Sequence, residues 1–299
     1  MKSPIAFLVF NRPDCTARTF AAIREARPPR LLVVADGPRE TCPEDVEKCR
    51  AVRALIDEGV DWPCTVERNY AFQNLGCANR VASGLTWAFE RAEQLVVIED
   101  DCLPDPSFFE YCDELLSRYS LDTRVGQICG CSRYVSEINR DTSYIFSRYG
   151  PIWGWASWRR AWKTYDLSMK TWPRFRAMKG LDGVTQSSAE AKFRTDLYDA
   201  LHSSPHVSTW DFQWGYAKLS QGLLSVIPCR NLVANIGDGA DATHPVGRSA
   251  LKLTAQSMGR PLIHPEFVLP DMEFDRMYSS MCTPRGGVRI RSVLGRIRS

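Results

Sequence analysis

The 299-residue sequence lacks the cysteine spacing of disulfide-rich and zinc-binding proteins. It has eleven cysteines, an odd number, and none of them form a C-x-x-C pair. A secreted disulfide framework and a zinc ribbon are therefore not expected, and the thiols are predicted to be reduced. Long apolar runs are also missing, since the N-terminal run covers only residues 5–10. This is too short for a signal peptide or a membrane span, so a cytoplasmic protein is expected.

The sequence has little net charge, only +3, so no overall basic field predicts a nucleic-acid partner. Apolar residues make up 44% and charged residues 24%, which is typical of a globular protein. A chain of this length can bury a sizeable core without a disulfide or a metal to stabilise it.

Glycine-rich phosphate loops are missing too. The turn after the first predicted strand reads NRPDC, with no G-x-G-x-x-G, and no G-x-x-x-x-G-K-[ST] occurs anywhere. The G-x-G at residues 237–239 follows a late strand and lacks the third glycine. A phosphate group is therefore expected to be held by a metal ion rather than by a glycine loop.

Strands and helices alternate over the first 120 residues. Apolar runs predict strands at 5–10, 31–35, 64–68 and 95–98, and helices are predicted at 14–25, 44–58, 77–93 and 107–119, with Asp14 as a possible cap of the first. Continuous apolar strands between helices are typical of a parallel sheet covered on both faces. The predicted fold class is therefore α/β, with a mostly parallel central sheet flanked by helices.

The second half has a different composition. Aromatic residues are concentrated in 144–175, helices are predicted near 189–202 and 209–222, and strands at 223–227 and 232–236. We predict a nucleotide-binding half at 1–104 and an acceptor-binding half at 105–275, sharing one sheet. A basic C-terminal tail is predicted at 276–299.

Polar side chains follow three of the predicted strands. Asn11 and Arg12 follow the first, Asp36 the second, and Glu99, Asp100 and Asp101 the fourth. Ligands of open parallel sheets bind at the carboxyl ends of the strands. Three adjacent carboxylates there favour a hard divalent cation, Mn²⁺ or Mg²⁺, although a solvated acidic turn remains the alternative.

Other candidates have two interpretations each. Asp36 and Arg12 have the chemistry to contact a nucleobase, or are simply turn residues. Gly76 and Arg80 lie at the start of the helix before the acidic strand, where Arg80 would meet phosphate or form a surface ion pair. Asp211, between two aromatic residues, is a candidate general base or a helix N-cap.

Two features lie near the C-terminus. His244, in a Gly/Asp-rich loop, is a candidate contact for metal or diphosphate, or an ordinary loop residue. Residues 285–299 carry five arginines and no acid, with apolar residues at helical spacing. They predict either a basic amphipathic helix in peripheral contact with an anionic membrane or a disordered tail.

The E-D-D that ends an apolar strand, followed by P-S-F-F-E-Y at 106–111, resembles the GT-A nucleotide-sugar glycosyltransferases. The likeness is greatest to the N-acetylglucosaminyltransferases that initiate N-glycan branching and to bacterial family-2-like relatives. It covers about residues 4–245 and includes, in the same order, Asn11-Arg12, Asp36, the 78–89 helix, Gly154-Trp155 and Trp210-Asp211. Phe212 stands where the family often has a second acid.

The resemblance implies a role for each matching residue. Asp101, in the DXD position, would bind Mn²⁺ bridging the donor diphosphate, while Glu99 and Asp100 would bind the donor's sugar and ribose. Asp36 and Arg12 would contact uracil or its ribose, and Asp211 would deprotonate the acceptor. Gly154, Trp155 and Trp210 would shape the acceptor site. Eukaryotic members carry a membrane anchor and stem that this sequence lacks, which implies a bacterial-type cytosolic enzyme.

The predicted function is the inverting, metal-dependent transfer of a sugar from a UDP-sugar to a hydroxyl of a glycan or lipid-linked acceptor in surface polysaccharide synthesis. N-acetylglucosamine is a candidate for the sugar. A sugar nucleotidyltransferase is one alternative, although it would normally have a glycine-rich phosphate loop after the first strand. A non-catalytic nucleotide- or glycan-binding protein is the other.

Overall fold

The computed structural model describes residues 1–132, 141–204, 208–237 and 254–283. His244 and the basic segment 285–299 lie outside these residues, so their predicted roles in metal or membrane binding stay predictions. The first half alternates as the sequence predicts. Its strands are β1 (Ile5–Val9), β2 (Arg30–Ala35), β3 (Thr65–Tyr70) and β4 (Gln94–Glu99), and its helices are α1 (Pro13–Ala26), α2 (Glu44–Gly59) and α3 (Cys77–Arg91).

The second half adds shorter elements. Its strands are β5 (Cys102–Pro104), β6 (Val125–Cys129), β7 (Tyr144–Ser147), β8 (Trp155–Trp158), β9 (Leu224–Pro228) and β10 (Val233–Asn235). Its helices are α4 (Pro106–Arg118), α5 (Arg159–Trp162), α6 (Trp172–Ala177), α7 (Ser188–Ser203), α8 (Asp211–Gln221) and α9 (Met272–Cys282), with a 3₁₀ helix at Gly180–Gly183.

One eight-stranded sheet joins both halves, in the order β3-β2-β1-β4-β8-β6-β9-β7. β1 to β4 are mutually parallel, and β6 and β9 run in the same direction, whereas β7 and β8 are antiparallel to their neighbours. The predicted α/β class with a mostly parallel sheet is confirmed. β10 pairs with β5 in a separate two-stranded ribbon.

Helices cover both faces of the sheet. On one face, Phe7 and Val33 pack in a cluster with Phe20 of α1, Val52 of α2 and Leu115 of α4. On the other face, strand side chains pack against α3 and α8 in a cluster that includes Leu8, Val97, Leu85 and Trp214. This two-sided burial explains why the strands read as continuous apolar runs.

Three details differ from the sequence-based expectations. Asp14 does not cap α1, because Pro13 already occupies the first turn and Arg12 is the cap residue. β5, β6, β7 and β8 were not predicted as strands, and α5, α6 and α9 were not predicted as helices. Helix α9 spans the boundary between residues 275 and 276, where the tail was predicted to start. The domain boundaries stay predictions.

Within the described part of the chain, no helix is long and apolar enough to cross a membrane. All eleven cysteines lie among the described residues and all are free thiols, which agrees with the predicted absence of a disulfide framework.

Candidate active site

The carboxyl ends of β1, β2 and β4 lie side by side at one edge of the sheet. Leu8 pairs with Glu99 across β1 and β4, and Val9 pairs with Ala35 across β1 and β2. The residues that follow these strands are therefore brought together, as expected for parallel strands. β8 is antiparallel to β4, so its first residue, Trp155, lies at this same edge.

Arg12 bridges two of the three adjacent acids. Its Nη2 donates to Asp100 Oδ1 at 2.5 Å, and its Nη1 donates to Asp101 Oδ2 at 3.1 Å. The side chains of Arg12, Asp100 and Asp101 are only 17%, 4% and 16% exposed. The sequence predicted that Arg12 and Asp36 would contact a nucleobase together. In the structure the guanidinium of Arg12 instead contacts Asp100 and Asp101.

The Arg12 guanidinium does not fully offset the burial of these acids and the repulsion among them. Burial, followed by the nearby charges of Asp101 and Asp100, raises the pKa of Glu99 well above its usual range. Burial also raises the pKa of Asp100 to about 6, although Arg12 opposes this. Carboxylates that repel each other in a buried site favour the binding of a proton or a cation.

Asp36 connects β2 to the loop before α3. Its Oδ1 accepts from the backbone N–H groups of Gly37 at 2.8 Å and Leu75 at 2.9 Å, and its Oδ2 accepts from Asn74 Nδ2 at 3.1 Å. Burial nevertheless raises the pKa of Asp36. In this structure Asp36 fixes the loop in place, and its contact with a nucleobase stays a prediction.

Asn11 and Arg80 have partners on neighbouring elements. Asn11 Nδ2 donates to Asp45 Oδ1 on α2 at 2.7 Å. Arg80 is 6% exposed and donates to the backbone and the side chain of Asn69 at the end of β3. Burial lowers the pKa of Arg80. The structure thus buries Arg80 against β3, and its predicted contact with phosphate stays untested.

The first residue of α3 is Cys77, which was not among the predicted site residues. Gly76 precedes the helix with φ 76°, in the left-handed region that favours glycine, and an added Cβ there would meet nothing within 4 Å. Burial raises the pKa of Cys77 to about 12, and the charges of Glu99, Asp211 and Asp36 contribute to the shift. Cys77 therefore lies within electrostatic range of carboxylates from β2, β4 and α8.

Asp211 is the first residue of α8, and the helix has no side-chain cap at its N-terminus. The N-cap interpretation of Asp211 is therefore wrong, since Trp210 is the cap residue. The Asp211 charge contributes to the raised pKa of Glu99, so the two carboxylates lie within electrostatic range of each other. The packing of Trp214 and Ala217 against the sheet fixes this end of α8.

The residues predicted to shape the acceptor site are buried. Trp155 and Trp210 are 0% and 2% exposed and stack on each other with ring centroids 6.0 Å apart. Gly154 has φ 58°, and a Cβ there would come within 2.7 Å of Val233. Their contact with an acceptor stays a prediction, and in this structure they build the wall behind the acids.

Gly237 closes the site from the side of the β5–β10 ribbon. Ile236 N donates to Asp101 O at 2.8 Å. A Cβ on Gly237 would overlap Asp101 Oδ2 and lie 2.9 Å from Arg12 Nη1. The sequence noted this glycine only as part of an incomplete phosphate motif, because nothing in the local pattern shows that the loop folds back on the acids.

The predicted divalent-cation site depends on the carboxylates around Asp101. Among residues 1–132, 141–204, 208–237 and 254–283, no three His, Cys, Asp or Glu side chains form a ready metal cluster. Mg²⁺-type ions commonly take one or two protein carboxylates and complete their shell with water and substrate phosphates. Asp101, partly exposed beside acids whose pKa values are raised, fits such a site, with the substrate supplying the remaining ligands.

Of three comparisons with known proteins, only the one with solved structures found matches. No family model matches the sequence, and no curated protein matches it. Among solved structures, a mannosyltransferase from Pyrobaculum calidifontis in complex with GDP-Man and Mn²⁺ has 13% identity and a TM-score of 0.40, covering 73% of this chain and 70% of that one.

Two further structures are also similar. The structure of S. aureus TarS 1–349 has 10% identity and a TM-score of 0.36, covering 53% of this chain and 47% of that chain. HddC from Yersinia pseudotuberculosis has 10% identity and a TM-score of 0.33, covering 58% of this chain and 86% of that chain. These likenesses, all with TM-scores below 0.5, do not assign a function to this chain.

Proposed function

We propose that this protein is an inverting, metal-dependent glycosyltransferase that moves a sugar from a UDP-sugar to a hydroxyl of a glycan or lipid-linked acceptor. One observation carries the proposal: Arg12 bridges Asp100 and Asp101 at the carboxyl edge of the sheet, next to Glu99 and within electrostatic range of Asp211. This arrangement combines groups for a diphosphate, a cation and a proton transfer.

The donor's diphosphate would be held at Arg12 and Asp101. A Mn²⁺ or Mg²⁺ ion bound by Asp101 would act as a Lewis acid and stabilise charge on the leaving diphosphate. Arg12 would donate from its guanidinium to a phosphate oxygen, the bidentate geometry that arginine favours. Glu99 and Asp100 would accept hydrogen bonds from donor hydroxyls, since their side chains adjoin Asp101.

Asp211 would act as the general base. Its carboxylate would accept the proton of the acceptor hydroxyl as the oxygen attacks the anomeric carbon from the side opposite the diphosphate. One such displacement inverts the anomeric centre, by the logic that separates inverting from retaining glycosidases. The buried wall of Trp155 and Trp210 would exclude water from this side of the site.

Other parts of the proposal follow from the sequence. The donor sugar is expected to be N-acetylglucosamine or another hexose, in surface polysaccharide synthesis in the cytoplasm. The basic segment 285–299 would add a peripheral contact with an anionic membrane. The proposed binding of the donor diphosphate at Arg12 and Asp101 does not depend on either expectation.

Calorimetry of UDP and GDP binding, first with Mn²⁺ and then with EDTA, tests the proposal. We expect UDP to bind with Mn²⁺ and to lose most of its affinity with EDTA, and Asp101→Asn to lose the metal-dependent part. The exposed acid Asp182 gives a matched control, because Asp182→Asn should leave binding unchanged. No binding of either nucleotide under either condition would rule out a nucleotide-sugar transferase.

A further inference from the structure

Arg12 occupies one of the carboxylate oxygens that the proposed function gives to the cation. The guanidinium reaches Asp101 Oδ2 at 3.1 Å while its other nitrogen holds Asp100 at 2.5 Å. An ion entering at Asp101 therefore competes with a cation that belongs to the chain itself. Two carboxylates share one guanidinium, so one negative charge remains to attract the ion.

The two halves of this bridge differ in strength. The contact with Asp100 is short, and the Asp100 side chain is almost fully buried. The contact with Asp101 is longer, and the Asp101 side chain keeps some exposure. Charge-assisted hydrogen bonds are strongest at about 2.7–2.9 Å or below, so the Asp101 half is the easier one to release.

The backbone of Arg12 is fixed at the start of α1. Its carbonyl accepts from Thr16 N at 2.9 Å and Thr16 Oγ1 at 2.8 Å, which anchors the residue to the first turn of α1. Gly237 lies against both Arg12 Nη1 and Asp101 Oδ2, so a rotated guanidinium must move away from this loop. A diphosphate beside the acids would offer it oxygens of matching geometry.

We propose that Arg12 is a positioning residue that makes metal binding depend on the nucleotide. In the nucleotide-free protein its guanidinium holds Asp101 and weakens the binding of a divalent cation. When a nucleoside diphosphate binds, its phosphate oxygens take over the guanidinium and release Asp101 Oδ2 to the cation. Metal and nucleotide therefore bind cooperatively, and by linkage each raises the affinity of the other equally. This inference rests on the proposed function.

Electron paramagnetic resonance of free Mn²⁺ measures the coupling without any turnover. Manganese chloride is titrated into the full chain with and without saturating UDP, for the natural protein and for Arg12→Gln. In the natural protein, UDP should raise the Mn²⁺ affinity by about 30-fold, within the usual range of coupling between sites. In Arg12→Gln, Mn²⁺ alone should bind about 10-fold tighter, and the effect of UDP should shrink to a few-fold.

Two controls separate the effect of losing the Arg12 bridge from the effect of losing a positive charge. Arg18→Gln removes the same charge from an exposed position on α1, and its Mn²⁺ affinity should change less than about threefold, as expected for screened surface charges. Arg12→Lys keeps the charge but replaces the planar guanidinium, in which separate nitrogens hold Asp100 and Asp101, with a single ammonium nitrogen. It should raise the affinity for Mn²⁺ alone, and it supplies the test if Arg12→Gln does not fold.

The outcomes distinguish a failure of this inference from a failure of the proposed glycosyltransferase function. If the natural protein binds Mn²⁺ with UDP, but neither Arg12 variant binds Mn²⁺ alone more tightly, the inference is overturned and the function stands. An increase of the same size in Arg18→Gln would also overturn it. If Mn²⁺ binds in none of the samples, the metal-dependent function fails as well.

Discussion

Gly237 lies so close to Asp101 that a single added methyl group would overlap the carboxylate. The contact joins the loop after β10 to the acid proposed to hold the metal. It therefore makes the position of Asp101 sensitive to a residue that is 136 positions away in the sequence.

Gly237→Ala should weaken Mn²⁺-dependent UDP binding by about 10-fold or more, because the Cβ would push Asp101 and Arg12 apart. The overlap should also lower the free energy of unfolding by about 1–3 kcal/mol, as is usual for overpacked sites. Calorimetry and urea unfolding measure the two effects. Gly183→Ala is the control, since a Cβ there meets nothing within 4 Å. Equal UDP affinities for the two variants would contradict the prediction.

Asp211→Asn should keep UDP binding within about threefold and lower kcat by about 10²–10⁴-fold, the usual contribution of a general base. The amide has almost the same shape as the carboxylate but cannot accept the acceptor's proton. A donor-consumption assay beside calorimetry makes the comparison. A variant with full kcat would remove Asp211 from the role of base, whatever its effect on stability.

Lys218 makes the stability depend on alkaline pH. Its Nζ donates to Gln127 Oε1 at 2.5 Å and Ser225 Oγ at 2.8 Å, and burial lowers its pKa from 10.5 to about 8. Between these values the unfolded chain binds more protons than the folded one, so this lysine makes the free energy of unfolding rise with pH. Below pH 8 both states are protonated, and the full cost of burying the charge is present.

Lys218→Met removes this dependence. The stability advantage of the variant over the natural protein should therefore shrink by roughly 3 kcal/mol between pH 7.5 and 10.5, the equivalent of the pKa shift. Urea unfolding at several pH values measures the difference, and the other titrating groups cancel in the comparison. A difference that stays constant over this range would show that Lys218 does not titrate there.

A buried ion pair on α7 should matter far more than an exposed pair on the same helix. Arg194 Nε donates to Glu190 Oε1 at 2.6 Å, and Glu190 is 1% exposed. Arg194→Met leaves a buried carboxylate without its cation and should cost roughly 3–5 kcal/mol of unfolding free energy. Lys192 and Asp196 form an exposed pair with the same spacing, so Lys192→Met should cost under about 1 kcal/mol. Similar losses in urea unfolding would contradict this difference.

Much of the first half could be predicted because its signals are local. Each of β1, β2 and β4 contains an apolar run with a polar residue at its end or shortly after it, and Pro106 occupies the first turn of α4. β6, β7 and β8 were missed because none contains an apolar run as long as that of β1: Gly126 and Gln127 interrupt β6, and β7 and β8 have only four residues each. Short aromatic segments such as β7 and β8 read equally well as loop, helix or strand.

The sequence by itself determined the α/β class. It also brought Arg12, Asp36 and the three acids to one edge of the sheet, because the carboxyl ends of parallel strands lie at the same edge. Only the tertiary structure decided their pairing. Arg12 lies on Asp100 and Asp101, while Asp36 holds the loop before α3, since side-chain partners depend on elements that are distant in sequence. Gly237 and Cys77 joined the site for the same reason: no local pattern encodes which loop folds back against a charge.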